Sequence, residues 1–273
     1  MQTLIFGNGQ AVVFPECRAV PRRDGMFILS IRKSGSTLLA KITEMISEAT
    51  KTQSINVGDT LFNANVSPVV LHDDAAINEI LLPGVMYFGF RDYPSVMEKS
   101  EVFRRGKKVM LVRDPRDALV SEYFSIAFSH SVPVIKEGQS DVNARHIEQI
   151  RARALYSSID DFVVERADAF VETAIRFHSA LKGPNIVIVR YEDIIFDKLK
   201  LVRTICEYFG LQIAPAKVTR IARAADIIPS FEDPKAHIRQ AIPGDHVRKL
   251  KPDTIRQLDI ILRPVLESFG YRV

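Results

Sequence analysis

The chain has 273 residues, of which 47% are hydrophobic and 26% are charged. This length and composition are enough to bury a full core, and they exclude an intrinsically disordered protein. The formal net charge of +4 is small and dispersed along the chain, which excludes a strongly basic nucleic-acid-binding protein. A small anionic ligand suits this balance better.

Two cysteines, Cys17 and Cys206, lie far apart and outside any C-x-x-C pattern. They indicate neither a disulfide framework nor a zinc site, and they favour a reducing compartment. The N-terminus lacks a basic region followed by a long apolar core, and no window reaches about 18 uninterrupted apolar residues. We therefore expect a cytoplasmic protein without a transmembrane segment.

Four short apolar runs predict strands that are buried on both faces of a parallel sheet. They cover residues 26–31, 85–90, 108–112 and 185–189. Amphipathic helical patterns follow the first, third and fourth runs. This alternation predicts an α/β fold, a doubly wound parallel sheet flanked by helices.

Residue types at the predicted helix ends are typical of caps. Ser34 or Ser36 can cap the helix after the first strand. Asp114 and Pro115 suit the start of the helix after the third strand, and Gly210 suits the end of the helix after the fourth. A C-terminal helix is also predicted, kinked or split at Pro264 and stopped at Gly270.

Residues 128–184 carry helical patterns and no strand pattern, which predicts a mostly helical cover on one edge of the sheet. No repeat, low-complexity tract or linker divides the chain. We therefore predict a single domain over residues 1–273, with the cover inside it.

The stretch "RKSGST", residues 32–37, joins the first predicted strand to its helix. A glycine-containing turn at a helix N-terminus offers backbone N–H groups and a positive dipole end to an anion. The Walker pattern G-x-x-x-x-G-K-[ST] does not fit, because Lys33 precedes Gly35. The strand ends also supply no clear carboxylate for Mg²⁺. We expect an anion bound without a metal, although a solvated turn with a serine cap explains this stretch alone equally well.

The stretch "VRDPRDALVSEYF", residues 112–124, supplies a second candidate anion site. Arg113 ends the third predicted strand, and Ser121 lies eight residues later in the following helix. A strand end and a helix face can converge on one anion, and the arginine fork suits phosphate oxygens. The alternative is a surface arginine paired with Asp114 or Asp117.

Four motifs in order resemble the sulfotransferase family. "IRKSGSTLL" (31–39) resembles the family's 5'-phosphosulfate loop, and "VRDPRDALVSEYF" resembles its 3'-phosphate motif. "VIVRYEDIIFDKLKLVRTICEYFGL" (187–211) is similar to the strand, Tyr-Glu-Asp segment and helix that follow. "HIRQAIPGDHVRKL" (237–250) resembles the C-terminal loop in its bacterial form, where His follows Asp.

The resemblance implies a P-loop-like fold and the donor 3'-phosphoadenosine 5'-phosphosulfate. It implies metal-free transfer of the sulfuryl group to a hydroxyl or amine of a carbohydrate, lipid or small molecule. It implies that Lys33 contacts the bridging oxygen and the leaving phosphate, and that residues 34–37 hold the 5' end of the donor. The residues that it assigns to donor binding are Lys33, Ser34, Gly35, Ser36, Thr37, Arg113, Ser121, Tyr191, Phe231 and Arg239.

Within this set the resemblance divides the remaining roles by the end of the donor. Arg113, Ser121 and Arg239 are assigned to the 3'-phosphate, Tyr191 to the adenine side, and Phe231 to stacking on the ring. The chain departs from the family pattern at three positions. Gln240 and Ala241 stand where the C-terminal loop usually has Lys and Gly, and Leu38 stands where many members have Trp.

The catalytic base is the larger departure, because cytosolic members place a histidine after the second strand and this chain has Asp92 there. Asp92 is the first candidate base, since a hydrophobic surround could raise its pKa toward neutrality. His72 is the second, with Asp73 or Asp74 able to orient it. Arg91 could instead bind an acidic acceptor. The other histidines are scattered, at positions 130, 146, 178, 237 and 246.

Two alternatives stay open at this point. A P-loop nucleotide kinase would also need an anion loop, and a catalytically inactive nucleotide-binding protein would explain the missing histidine and the altered "RQA". We expect a small-molecule or carbohydrate acceptor and no nucleic acid. The sequence leaves the acceptor's identity and the oligomeric state open.

Overall fold

A parallel sheet of five strands lies at the centre of the computed structural model, which describes residues 1–130, 141–236 and 238–273. The strands in chain order are β1 (Gln2–Ile5), β2 (Ala11–Phe14), β3 (Met26–Ser30), β4 (Ser54–Asn56), β5 (Met86–Phe90), β6 (Lys107–Val112) and β7 (Ile186–Arg190). The sheet order is β4-β5-β3-β6-β7, while β1 and β2 pair separately as an antiparallel hairpin. The four predicted strands are confirmed as β3, β5, β6 and β7.

Helices flank this sheet, as the α/β prediction requires. In chain order they are α1 (Ser36–Thr50), α2 (Val57–Asn63), α3 (Val70–Asp73), α4 (Glu101–Arg105), α5 (Pro115–Phe124), α6 (Val142–Tyr156), α7 (Ile159–Ala180), α8 (Tyr191–Ile194), α9 (Lys198–Phe209), α10 (Pro215–Ala225), α11 (Asp245–Lys249), α12 (Pro252–Ile261) and α13 (Arg263–Ser268). The predicted fold class, a doubly wound parallel sheet flanked by helices, is confirmed.

The pairing of β3 with its neighbours determines where the following loops leave the sheet. β3 pairs in parallel with β6, with Ser30 opposite Leu111. On its other side β3 pairs with β5, where the register shifts so that Leu29 lies opposite Phe90. Gly89 has φ of 88° at this irregularity, a left-handed conformation that glycine adopts without steric cost. The loops after β3, β5 and β6 therefore start at one edge of the sheet.

The start of α1 differs from the prediction of a serine cap. Its N-cap is Gly35, with φ of 100° and no side-chain capping bond, and the Ser34 amide donates to the Ile31 carbonyl. A serine cap needs extended backbone at the cap position, and the left-handed turn at Gly35 precludes it. The other predicted ends are confirmed: Asp114 caps α5, Pro115 begins it, and Gly210 caps α9.

The C-terminal helix is divided as expected, because α12 ends at Ile261 and α13 begins at Arg263, just before Pro264. The predicted helical block over residues 128–184 contains α6 and α7. Residues 131–140 of that block and His237 lie outside the described residues. The single-domain assignment stays a prediction. None of the helices in the described ranges is both long and apolar enough to cross a membrane.

The sheet separates two apolar clusters. One includes Leu119 of α5 and Phe170 of α7, together with the β1–β2 hairpin. The other includes Ile42 of α1, Ile205 of α9 and Ile221 of α10. The fold therefore has one core on each face of the sheet, as a doubly wound arrangement requires.

We predict that Gly58→Ala destabilises the protein. A methyl group at Gly58 would lie 2.0 Å from the backbone oxygen of Gly89. The helix α2 or the β5 irregularity must then move, at a cost of about 1–3 kcal/mol, although alanine favours helices. Urea unfolding should show the loss. Gly7→Ala is the matched control, since its nearest contact is the Asp74 carboxylate at 3.4 Å. Equal stability of the two variants would contradict the prediction.

Candidate functional site

The loop after β3 turns sharply at two residues with left-handed backbone. Lys33 has φ of 65° and Gly35 has φ of 100°. A methyl group at Gly35 would lie 3.1 Å from the Tyr191 ring, so only glycine fits without displacing that ring. Ser34 between them is fully buried, and its Oγ has no hydrogen-bond partner among the described residues. The loop therefore holds a buried donor beside a helix N-terminus.

Arg113, at the end of β6, lies directly beside this loop. Its guanidinium donates to the Lys33 carbonyl at 3.5 Å and lies 4.6 Å from the centre of the Tyr191 ring. The side chain is only 7% exposed, so the alternative is wrong in placing this arginine at the surface, although its pairing with Asp117 is present at 3.8 Å. Its Nε has no partner within the described residues. Asp114 pairs with Arg116 instead.

A pocket opens where the loops after β3 and β6 meet residues 238–246, which we call the C-terminal segment. The predicted site residues in its wall are Lys33, Gly35, Ser36, Thr37, Arg113, Ser121, Tyr191 and Arg239. Ser34 lies buried within the loop, and Phe231 is 76% exposed and outside the wall. Asp92 and His72 are outside the wall as well. The structure thus brings together residues separated by more than 200 positions in sequence.

The C-terminal segment contributes Arg239, Gln240 and Ala241 to this wall. Arg239 is ion-paired with Glu232 and Asp245, and its guanidinium lies over the Phe124 ring at 4.1 Å. Gln240 has an Nε2 group that is buried without a partner in the described part of the chain. The Ala241 carbonyl accepts a hydrogen bond from the Tyr191 hydroxyl at 3.0 Å. Gln240 thus offers an unused donor where the family motif has lysine.

A buried carboxylate, Asp117 on α5, ties the C-terminal segment to Arg113. It accepts hydrogen bonds from the backbone amides of Gly244 at 2.7 Å and His246 at 2.9 Å. It also contacts His246 Nδ1 at 2.6 Å and lies 3.8 Å from Arg113. Burial favours the neutral acid, but the hydrogen bonds from His246 and the charge of Arg113 outweigh it and lower the Asp117 pKa to about 2. Asp117 is therefore ionised at neutral pH.

Comparison with known proteins identifies the family. The sulfotransferase domain family matches residues 23–270. The chain belongs to this family. The sulfotransferase predicted from the motifs is thereby confirmed, whereas no curated protein shows a significant match to the chain.

Solved structures share the fold at low sequence identity. Mouse sulfotransferase SULT7A1 complexed with PAP aligns with a TM-score of 0.60 and 16% identity, over 91% of this chain and 86% of that one. Retinol dehydratase in complex with androsterone and inactive cofactor PAP aligns with a TM-score of 0.50 and 16% identity, over 93% of this chain and 84% of that one. A sulfotransferase from Alicyclobacillus acidocaldarius gives 0.43 and 15%, over 93% and 98%. Identities this low establish the fold alone.

The lysine of this sulfotransferase lies in an unusual electrostatic environment. Burial lowers the Lys33 pKa to about 8, opposed by the charge of Glu122 and reinforced by the charges of Arg113, Arg91 and Arg32. Glu122 is itself buried on α5. An ammonium group that is this poorly solvated interacts strongly with any anion brought into the pocket.

The two candidate bases lie against each other. His72 Nε2 is 3.2 Å from an oxygen of Asp92, and its Nδ1 is 3.3 Å from Ser95 Oγ. The other Asp92 oxygen accepts from the Tyr93 amide at 2.8 Å and lies 3.5 Å from Arg176. We expected Asp73 or Asp74 to orient His72. This is wrong for Asp74, which accepts hydrogen bonds from the backbone amides of Gly7 and Ala76. Asp92 takes that position.

Sequence reasoning missed Asp117, Glu122 and His246 as parts of this site. His246 is buried against Asp117, although its motif placed it only beside the C-terminal loop. Asp117 and Glu122 both lie within the "RDPRDALVSEYF" stretch. The spacing of Asp117, four residues before Ser121 on α5, was a usable signal, because residues four apart share a helix face. Glu122, adjacent to Ser121, gave no such signal.

We predict that Asp117→Asn destabilises the fold in a pH-dependent way. The folded-state pKa of about 2 lies below the ordinary value of 3.8, so the ionised group stabilises the fold above about pH 4. That contribution, about 2 kcal/mol, is lost as the pH falls toward 2. Urea unfolding at pH 3 to 7 should show a difference from wild type that shrinks at low pH. The exposed Asp253→Asn serves as the control, and a pH-independent difference for Asp117→Asn would refute the linkage.

Proposed function

We propose that this sulfotransferase uses 3'-phosphoadenosine 5'-phosphosulfate as donor and transfers its sulfuryl group to a hydroxyl or amine. One observation carries the proposal: Ser34, Arg113 and Gln240 each have a buried donor group without a partner among the described residues, and they belong to elements that meet at one pocket. Unpaired buried donors cost about 1–3 kcal/mol each. A ligand with an anionic group at each end would satisfy them. The proposed donor has such groups, the 5'-phosphosulfate and the 3'-phosphate.

The loop after β3 is proposed to hold the 5' end of the donor. Its backbone amides begin α1, where an anion is favoured, and the hydroxyls of Ser34, Ser36 and Thr37 add donors. Lys33 would stabilise charge on the departing phosphate as the bond to sulfur breaks. A lysine with a lowered pKa can also release a proton more readily than an ordinary one.

Arg113, Ser121 and Arg239 are proposed to bind the 3'-phosphate. Arg113 and Arg239 are both buried and held against aromatic rings, so their forks are already oriented before the ligand arrives. Little side-chain entropy is then lost on binding. Tyr191 and Leu38 line the same pocket and are proposed for the adenine side. Phe231 stays a prediction, because its exposure supports stacking only if the segment around it moves.

Acceptor activation is proposed for the Asp92–His72 pair. Asp92 is the proposed base and takes the proton of the acceptor, while neutral His72 donates from Nε2–H to the carboxylate and holds it in place. In this tautomer Nδ1 is unprotonated and can accept from Ser95 Oγ. This arrangement uses both candidates together, and their 3.2 Å contact supports it.

Nucleotide selectivity tests the proposal. Calorimetry should show that 3',5'-adenosine bisphosphate binds much more tightly than ATP, and labelled donor should sulfate members of an acceptor panel with EDTA present. Preference for ATP would favour a nucleotide kinase and overturn the proposal. Tight binding of the bisphosphate without turnover on any acceptor would favour the inactive nucleotide-binding alternative.

Lys33→Ala and Arg113→Ala should separate chemistry from binding. Loss of the lysine removes stabilisation of the leaving group, so kcat should fall about 100- to 1,000-fold. Loss of the arginine should instead weaken binding of 3',5'-adenosine bisphosphate about tenfold or more, as expected for a charge-assisted hydrogen bond. Steady-state kinetics and calorimetry measure the two effects. Unchanged values in both variants would remove these assignments.

We also expect kcat/KM for the donor to decline as the pH rises above about 8. The Lys33 pKa in the free enzyme is about 8, so the charged form that binds the phosphate is lost above that value. A pH–rate profile from pH 6 to 10 measures the decline. Lys33→Arg, whose guanidinium stays charged throughout, should have a lower rate but no such decline. A decline that persists in that variant would assign it to another group.

A further inference from the structure

We propose that the acceptor carries an acidic group, a carboxylate, sulfate or phosphate, that binds an arginine cluster beside Lys33. This inference rests on the proposed sulfuryl transfer and narrows its acceptor. The cluster consists of Arg32, Arg91, Arg166 and Arg176. These residues follow β3, follow β5 and lie on α7, so three separate elements contribute to it.

Each of the four arginines pairs with a carboxylate, and two of them share one. Arg32 and Arg166 approach the same oxygen of Glu122, at 3.5 and 2.8 Å. Arg91 lies 2.9 Å from Asp59, and Arg176 lies 3.5 Å from Asp92, the residue next to Arg91. The charges of Arg32, Arg91 and Glu122 all act on Lys33, so these groups and Arg166, which pairs with Glu122, lie around the same lysine.

Among the described residues, the ion pairs of this cluster leave an excess of positive charge. Four guanidinium groups share three carboxylates, those of Glu122, Asp59 and Asp92. Lys33 adds a further positive charge, and the charges of Arg32 and Arg91 reach it and lower its pKa. Arg166 also has a buried Nε with no hydrogen-bond partner in the described ranges. An incoming anion would neutralise the excess and could satisfy this donor.

The cluster lies apart from the proposed donor pocket. None of the four arginines is in the wall of that pocket, although Lys33 is. Lys33 thus has the nucleotide pocket on one side and the cluster within electrostatic reach. In-line transfer requires the acceptor on the side of the sulfur opposite the departing phosphate. Because the cluster lies outside the pocket wall and includes an arginine paired with the proposed base Asp92, we assign it to that side.

The arginines are accessible enough to bind a ligand. Their side chains are 24–45% exposed, while Glu122 beneath two of them is 5% exposed. A buried carboxylate therefore orients exposed guanidinium groups. The planar fork matches the paired oxygens of carboxylates, sulfates and phosphates, which a neutral alcohol lacks.

Matched pairs of acceptors test the inference. We would compare glucuronic acid with glucose, and 4-hydroxyphenylacetate with its methyl ester, using labelled donor. The acidic member should have at least tenfold higher kcat/KM in each pair that is sulfated. Equal or higher kcat/KM for the neutral members would overturn the inference. It would also be overturned if no acidic member is sulfated.

Variants tie the effect to the cluster. Arg91→Gln and Arg166→Gln should raise KM for the acidic acceptor about tenfold or more while leaving KM for the donor and binding of 3',5'-adenosine bisphosphate unchanged. Arg105→Gln, a 74% exposed arginine paired with Glu101, is the control and should leave both unchanged. If an interior change at Arg166 prevents folding, the more exposed Arg91 still tests the cluster. If the variants bind 3',5'-adenosine bisphosphate normally and their KM for the acidic acceptor is unchanged, the inference is overturned but the proposed function is not. If the wild-type protein does not bind 3',5'-adenosine bisphosphate, the proposed function is overturned.

Discussion

The parallel pairing of β3 with β6 is the constraint on which the pocket depends. Because Ser30 lies opposite Leu111, the residues that follow each strand leave the same edge within a few ångströms of each other. Arg113 consequently reaches the Lys33 carbonyl, although 80 residues separate them. Side chains placed by adjacent strands are held more rigidly than side chains on independent loops. The spacing between the loop after β3 and Arg113 is therefore fixed by backbone hydrogen bonds of the sheet.

A second element, Asp117, extends that constraint to the C-terminal segment. Its carboxylate bonds two amides of the segment and lies near Arg113. Buried carboxylates are expensive unless donors satisfy them, and here the donors come from a part of the chain 127 to 129 residues away. The cost of burying this charge is offset only when the segment is in place. Asp117 thus couples the position of Arg239 to the rest of the pocket.

Much of the architecture could be predicted because it depends on local pattern. The four central strands are short apolar runs, and the Asp114–Pro115 start of α5 is a local cap signal. The short strand β4 and the hairpin of β1 and β2 were missed because strands of three or four residues carry little periodicity. The cap of α1 was mispredicted because Gly35 has left-handed backbone and lies against the Tyr191 ring, a tertiary contact that the local pattern does not contain.

The site was predictable in its motifs and unpredictable in its pairings. Lys33, Arg113, Ser121 and Arg239 line one pocket, as the ordered motifs implied. The pairing of His72 with Asp92, and of His246 with Asp117, joins residues 20 and 129 positions apart. No spacing rule identifies such partners, because they are brought together by the folding of whole elements. Phe231 illustrates the converse, since a motif position alone did not bring its ring to the pocket wall.

The two cores on opposite faces of the sheet have a consequence for how this protein can diversify. Tyr191, Ile195 and Ala241, which line the proposed nucleotide pocket, belong to the core of α1, α9 and α10. Arg166 and Arg176 lie on α7, which packs into the other core. Substitutions on the surface of α7 that leave its packing against α5 intact act far from Tyr191, Ile195 and Ala241, and effects at well-separated sites are nearly additive. A lineage could thus exchange one acceptor for another while its nucleotide chemistry stays under unchanged selection.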